Sequence, residues 1–307
     1  MNPFRHLRRW TIVLLAAALL MTMGQGLATP ALGQGGDLTN PPASARVSNL
    51  THYYQTWNNC GPANLTMALS YYGWGYDQAV AASWLKPNVE DKNVSPDQMA
   101  AYVNQHNELP NMAALWRYGG TLDLLKRFVA AGFPVVIEAG YVEDGLGWMG
   151  HYQTVVAYDD NSQTIWVYDS YKGPGGQGRA YSYADFDYWW RHFNRVFVVP
   201  FPLDREGDMR IILGDYASVQ YATEQALQTA LDEAAANPAD NWAWFNAGTA
   251  AVRLGRSAMG NGDAAGANTY YNSAAFYFDE AFRLEMPYRT TWYQFGPYEA
   301  YYFQGRY

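Results

Sequence analysis

Cysteine is almost missing from this chain: one, Cys60, among 307 residues. A disulfide within the chain is therefore excluded, and with it a small scaffold framed by disulfides. Histidine is scarce too, with five in all, and none forms the paired-His helix motif of a metal hydrolase. There is no second cysteine and no tight carboxylate cluster, so neither metal catalysis nor any other cofactor is expected. Gly173, Gly175, Gly176 and Gly178 lack the Lys-Ser/Thr pair that would grip a phosphate, which argues against nucleotide. The formal charge is −8, and no basic cluster follows residue 33. Nucleic acid and anionic membrane surfaces, which are bound through clustered Lys and Arg, are disfavoured as partners.

Long hydrophobic runs are limited to one, Trp10 to Met23, and it falls short of the ~20 residues a spanning helix needs. Arg5, Arg8 and Arg9 precede it, and small residues reaching Ala28, Ala31 and Gly33 follow it. This is the grammar of a signal peptide over residues 1–33, cleaved after Ala28 or Gly33. The expected location is secreted or extracytoplasmic, with an uncleaved signal anchor as the alternative.

What is abundant is aromatic: 17% of residues, including 26 Tyr and 12 Trp. Such a content suits sugar-stacking surfaces, but packing and rim positions absorb most aromatics in globular proteins. The length and the 49% hydrophobic composition allow a full core and predict two domains.

Residues 34–48 are Gly, Pro, Ala, Asn and Ser with almost no large apolar side chain, and are expected to be a linker. Helices are predicted over 60–72, where Leu65, Ala68, Leu69 and Tyr72 share a face before Gly73, and over 77–85. Two more are predicted over 96–106, behind a Ser95 cap and Pro96, and over 121–131. The texture then turns to strands: 134–138, 152–158, 164–168 and 196–200, with 159–163 as a hairpin turn. Helices followed by an antiparallel sheet predict an α+β domain over 49–203.

From 204 to 307 helices return, over 221–235, 239–254 and 264–285. Trp242, Gly248, Leu254, Tyr271, Ala274, Phe278, Ala281 and Pro287 resemble a tetratricopeptide helix pair, with a second unit beginning near Thr290. Such pairs bury their faces by stacking, so this one is expected to lean on the first domain or on a protein partner.

An odd thiol in an oxidising compartment is a liability unless it is buried, paired between chains or used. Asn59-Cys60-Gly61-Pro62 places the sulfur at a helix start, where free N–H groups and the helix dipole favour thiolate. Gly61 there would let a substrate backbone approach, and Pro62 suits a first turn. The alternative is a small buried apolar residue. A nucleophile needs a base. His6 falls in the signal segment, His106 and His192 lie on stretches that read as surface, and His52 precedes the tight turn. His151 follows Gly150 and opens a strand, a rigid place from which to present an imidazole. Asp169 closes the next strand, where a cross-strand neighbour could hold the imidazole tautomer, although a turn residue is the plain alternative. Gln55 lies close enough before Cys60 to offer a side-chain amide to an oxyanion, with the Cys60 N–H as second donor.

Residues 54–65 (YQTWNNCGPANL) followed by 70–73 (SYYG) resemble the nucleophile motif of cysteine peptidase family thirty-nine, the double-glycine leader peptidases and their relatives. Gly150-His151-Tyr152, residues 155–159 (VVAYD) and Val167-Tyr168-Asp169 resemble that family's histidine strand and aspartate-bearing strand end. The resemblance implies a papain-like fold, catalysis by Cys60, His151 and Asp169, a glutamine oxyanion hole at Gln55, and a peptide or protein substrate. Two departures stand out. Processing members are fused to a transporter and an ATPase, which this sequence shows no sign of, and Asp169 is followed by Ser170 where the family often has proline. Hydrolysis of peptide bonds is the expected activity. A catalytically idle domain binding peptide or glycan, and a transglutaminase-like acyl transfer through the same residues, are the alternatives.

Overall fold

A central helix, α1 (Cys60–Ser70), is buried along nearly its whole length. Mostly small and apolar, with its polar Asn64 and Thr66 buried too, α1 packs against one face of an antiparallel sheet. The computed structural model describes residues 37–88, 93–106 and 108–307; the expected signal segment 1–33 lies outside them. No helix among the described residues is long and apolar enough to cross a membrane.

The strands are β1 (Ser44–Arg46), β2 (Met112–Arg117), β3 (Val135–Glu143), β4 (Gly147–Asp159), β5 (Thr164–Asp169), β6 (Arg179–Ser182) and β7 (Phe197–Pro202). They form one seven-stranded sheet in the order β2-β7-β3-β4-β5-β6, with β1 also paired to β4. Side chains alternate between its faces. Val136, Tyr152 and Val198 join α1, α2 (Gln78–Leu85) and α3 (Pro96–Gln105) in one core. Val135, Ile137, Val155 and Val199 join α4 (Leu122–Ala130), α5 (Tyr183–Trp190) and α6 (Glu206–Leu213) in another. The Ser95–Gln98 capping box and Pro96 open α3 as its sequence predicts.

Two strands differ from expectation in length. β3 and β4 continue well past 138 and start well before 152, through the cross-strand pair Gly140 and Gly150. A Cβ on Gly140 would lie 2.3 Å from the His192 ring, and one on Gly150 would lie 2.5 Å from Phe193. Glycine stands there because neighbours press on the backbone, and the same substitution erases the β-branched signal. β2 was not expected, since MAALWR carries no β-branched residue, yet it pairs with β7 along its full length.

The expected linker is docked from residue 37 onward. Ser44–Arg46 pairs with 157–159 of β4, the Asp160 N–H donates to the Ala43 carbonyl at 2.7 Å, and Val47 is buried. Backbone hydrogen bonds do not require large side chains, so composition alone misread this stretch.

Beyond β7 the chain is helical: α7 (Val219–Ala236), α8 (Asn241–Gly260), α9 (Ala264–Arg283), α10 (Thr290–Tyr293) and α11 (Gly296–Phe303). α8 and α9 approach closely where Gly248 meets the Phe278 ring. α10 and α11 are short and form no further long pair: α10 lies against β4, and α11 packs on α8 and α9. The helices share a core with the sheet through Trp148, Phe193, Val196, Ala226, Trp242 and Ala250. Arg195 reinforces it by bridging Asp187 at 2.6 Å and Glu233 at 2.7 Å. Residues 36–307 are a single compact unit.

Candidate active site

Cys60 occupies the first turn of α1, half-buried and free of any disulfide. The loop leading to it is held from several sides. Gln78 accepts the Thr56 N–H at 2.9 Å and donates to the Tyr54 carbonyl at 2.7 Å. The Lys86 ammonium donates to the Asn58 carbonyl at 2.7 Å and to Asn59 Oδ1 at 3.0 Å. Asn58 adopts φ 54°, a left-handed conformation Asn tolerates better than most residues. Gly61 is not open to substrate as its sequence suggested: a Cβ there would sit 3.3 Å from Val94 and 3.5 Å from Tyr152, so the glycine serves the packing of α1 on β4.

His151 and Asp169 meet across β4 and β5. His151 is buried on β4, and its Nε2 lies 2.9 Å from Asp169 Oδ1 at the end of β5. Since Asp169 takes Nε2, Nδ1 is the ring nitrogen left to interact with Cys60. Asp169 is almost wholly enclosed. Its Oδ1 also accepts the Tyr171 and Lys172 N–H groups at 2.8 Å each, and its Oδ2 accepts from Gln153 Nε2 at 2.9 Å.

The electrostatics follow from these contacts. Burial pushes the Asp169 carboxyl up, but the His151 hydrogen bond and charge, the Lys172 N–H and Gln153 outweigh it and hold it well below the usual carboxylate range. Burial pushes His151 down, yet its hydrogen bonds to Asp169 and Cys60 and their charges carry it up to about 9. Burial likewise pushes the Cys60 thiol up. His151, through hydrogen bond and charge, and the Tyr152 and Gly61 N–H groups bring it below its ordinary value. Thiolate and imidazolium stabilise one another, and the helix start supports the thiolate.

Gln55 is tied to the residue after Asp169. Its N–H donates to the Ser170 carbonyl at 2.8 Å, and its Oε1 accepts the Ser170 hydroxyl at 2.8 Å. With the oxygen so engaged, the amide NH2 is the end left to act as a donor. Ser170, buried and standing where the resembled family often has proline, in turn accepts from Asn64 Nδ2 at 3.0 Å.

Several residues here had not been singled out. Asn64, fully buried one helical turn after Cys60, donates to the Cys60 carbonyl at 2.9 Å and the Tyr152 carbonyl at 2.7 Å, and accepts the Thr154 hydroxyl at 2.9 Å. It joins α1, β4 and the loop after β5. Gln153 follows His151 by two on the same strand face, a spacing that would have found it. His52, set aside in sequence, lies with Nε2 2.8 Å from the Asp169 carbonyl. Glu138 is buried beside the site, and burial first, then the Cys60 charge, raises its carboxyl well above the ordinary value despite Tyr152, His151 and Arg253. His192, expected at the surface, is buried in a stack on Trp242 with ring centroids 3.9 Å apart, so it braces the fold. Among the described residues no three His, Cys, Asp or Glu side chains are grouped as metal ligands.

Residues 47–198, which contain Cys60, His151 and Asp169, match the family described as Peptidase_C39 like family. The segment 47–198 is of that family. The peptidase is of the cysteine type, built of helices packed on one antiparallel sheet. Solved structures resemble it over about half its length. A C39-like peptidase from Bacillus anthracis is 17% identical, with a TM-score of 0.42 over 52% of this chain and 98% of that one. A double-glycine-motif protease from an AMS/PCAT transporter, solved with its leader peptide, is 16% identical, with a TM-score of 0.36 over 52% and 94%. Xylellain, a cysteine protease from Xylella fastidiosa, is 11% identical, with a TM-score of 0.40 over 54% and 88%. No curated protein matches the peptidase.

Proposed function

We propose that the chain is an exported peptidase that hydrolyses peptide bonds through Cys60, His151 and Asp169, with Gln55 at the oxyanion hole. What supports this reading is Cys60 at the start of α1, electrostatically paired with a His151 that Asp169 holds, a carboxylate itself held by three further donors. The Cys60 thiolate attacks the scissile carbonyl carbon. The oxyanion accepts from the Gln55 amide and the Cys60 N–H, preorganised donors that strengthen as negative charge develops. His151 gives its proton to the leaving amine, and the acyl group remains on sulfur. Water then attacks the thioester; His151 takes its proton, and the carboxylic acid leaves as the thiol is restored. Asp169 stays ionised throughout and fixes the ring so that Nδ1 faces the sulfur. Export rests on the signal-peptide grammar of residues 1–33.

The test is cleavage of a complex peptide mixture by the purified chain, with products read by mass spectrometry. Replacing Cys60 by alanine is expected to reduce cleavage by about three orders of magnitude or more, as removal of a catalytic nucleophile does. Cleavage that persists in Cys60→Ala contradicts the proposal. Amide products that replace hydrolysis when a primary amine is added would reassign the chemistry to acyl transfer.

A further inference from the structure

A cleft of about 890 Å³ opens against the loop that leads into Cys60 and the strand that carries His151, and one of its walls comes from outside the family-matched region. Trp57 and Met149 line it, the first three residues before Cys60 and the second two before His151; Leu146 comes from the β3–β4 turn. The opposite wall is Trp292 of α10, Tyr298 of α11 and Phe295 between them. Tyr293, which lines the same cleft, packs so closely on Gly150, the residue before His151, that a Cβ there would lie 2.9 Å from its ring.

We propose that the α10–α11 segment completes the substrate cleft, and that the cleft takes a stretch of peptide bearing large apolar or aromatic side chains. This rests on the peptidase reading and names its substrate class. The wall is fixed in place. Asn93 Nδ2 donates to the Trp292 carbonyl at 2.7 Å, the Arg289 guanidinium donates to the Leu146 carbonyl, and Gln294 Nε2 donates to the His192 carbonyl at 3.0 Å. Thr290 is fully buried, with its hydroxyl on the Pro287 carbonyl at 2.7 Å. The rings so presented are open to solvent: Trp57 is 86% exposed, Phe295 61%, Tyr298 60% and Trp292 54%. Aromatics held on an anchored frame yet left uncovered offer apolar area to a ligand at little ordering cost.

The polar lining decides the class. Among the described residues no carboxylate lines the cleft; the Arg289 guanidinium is committed to Leu146, and the Asn93 amide is committed to Trp292. Sugar hydroxyls need several free polar partners beside an aromatic platform, and a basic peptide needs an acid. The described lining is mainly apolar and aromatic, with Trp57, Leu146, Met149, Trp292 and Phe295, and is suited to apolar side chains, with affinity from area removed from water. Because α10 and α11 lie beyond residue 198, where the family match ends, this preference belongs to the helical region of this chain.

The experiment maps cleavage positions in a peptide mixture for the wild-type chain, Trp292→Ala and Phe295→Ala. Large apolar residues are expected to be enriched within a few positions on one side of the cut bond, and both variants to lose that enrichment. On one selected peptide KM is expected to rise about tenfold or more with kcat retained, the size of effect a truncated apolar contact produces. No enrichment in the wild type, or enrichment unchanged in both variants, overturns the proposal. Absence of any cleavage removes the peptidase reading instead, and the cleft is then judged by binding to the Cys60→Ala chain. There, tighter binding of a Phe/Leu-rich decapeptide than of a Gly/Ser decapeptide, lost in Trp292→Ala, supports the cleft. Equal binding of the two, or stronger binding of a soluble chitooligosaccharide, overturns it.

Discussion

Asp169→Asn is expected to lower kcat/KM by about 10³- to 10⁴-fold, the range seen when the orienting carboxylate of a catalytic triad becomes an amide. The contacts explain why an isosteric change should be so costly. Oδ1 of Asp169 accepts from His151 Nε2, Tyr171 N and Lys172 N, and Oδ2 accepts from Gln153 Nε2. An amide has one acceptor end. If its NH2 group faces Gln153, two donors oppose each other; if it faces His151, the ring must turn its Nε2 into an acceptor, and the proton moves to the nitrogen that should receive the thiol's. Either arrangement also removes the charge that lifts His151 to about 9. Steady-state kinetics on a peptide cleaved by the wild type decides this, and a loss below about tenfold would mean that Asp169 only closes a turn.

The largest stability effect is expected at Asn64. Its amide links the Cys60 carbonyl, the Tyr152 carbonyl and the Ser170 hydroxyl, while its oxygen accepts from Thr154. Asn64→Leu keeps the volume but strands buried polar groups at about 1–3 kcal/mol each. A total destabilisation of about 3–5 kcal/mol in a denaturant titration is therefore expected, among the larger values for single substitutions. Because the Ser170 hydroxyl that holds Gln55 loses the donor that positions it, the kcat of whatever protein remains folded should fall as well. Destabilisation under about 1 kcal/mol would show that the bracket is replaceable, for example by bound water.

The parts of this site that were legible in the sequence are those with a local signature. Cys60 was conspicuous as the single cysteine at a helix start, and His151 and Asp169 came from strand ends in a readable hairpin. The amides were not legible. Asn64 sits mid-helix and Gln153 mid-strand, positions where such residues usually face water, and only the folded chain brings their partners together from residues 88 and 16 positions away. The long helices and the core strands followed from periodicity. The ends of β3 and β4 were hidden because packing by His192, Phe193 and Tyr293 demanded glycine. The return of α10 and α11 to the mouth of the site was hidden for another reason: it depends on single contacts such as Asn93 with Trp292, which leave no periodic trace.

The most direct measurement is the pH dependence of iodoacetamide alkylation of Cys60, in the wild type and in His151→Ala. An ordinary thiol reacts in step with a pKa of about 8.5. Here His151 lowers the Cys60 thiol and Cys60 raises His151, so the thiolate–imidazolium pair exists from the depressed thiol pKa up to about 9. The account predicts wild-type reactivity that persists well below pH 8. In His151→Ala burial acts on the thiol without its main opposing partner, and the profile moves up to the ordinary value or beyond. Identical profiles near 8.5 for both proteins would contradict the pairing of Cys60 with His151, and with it the catalytic account.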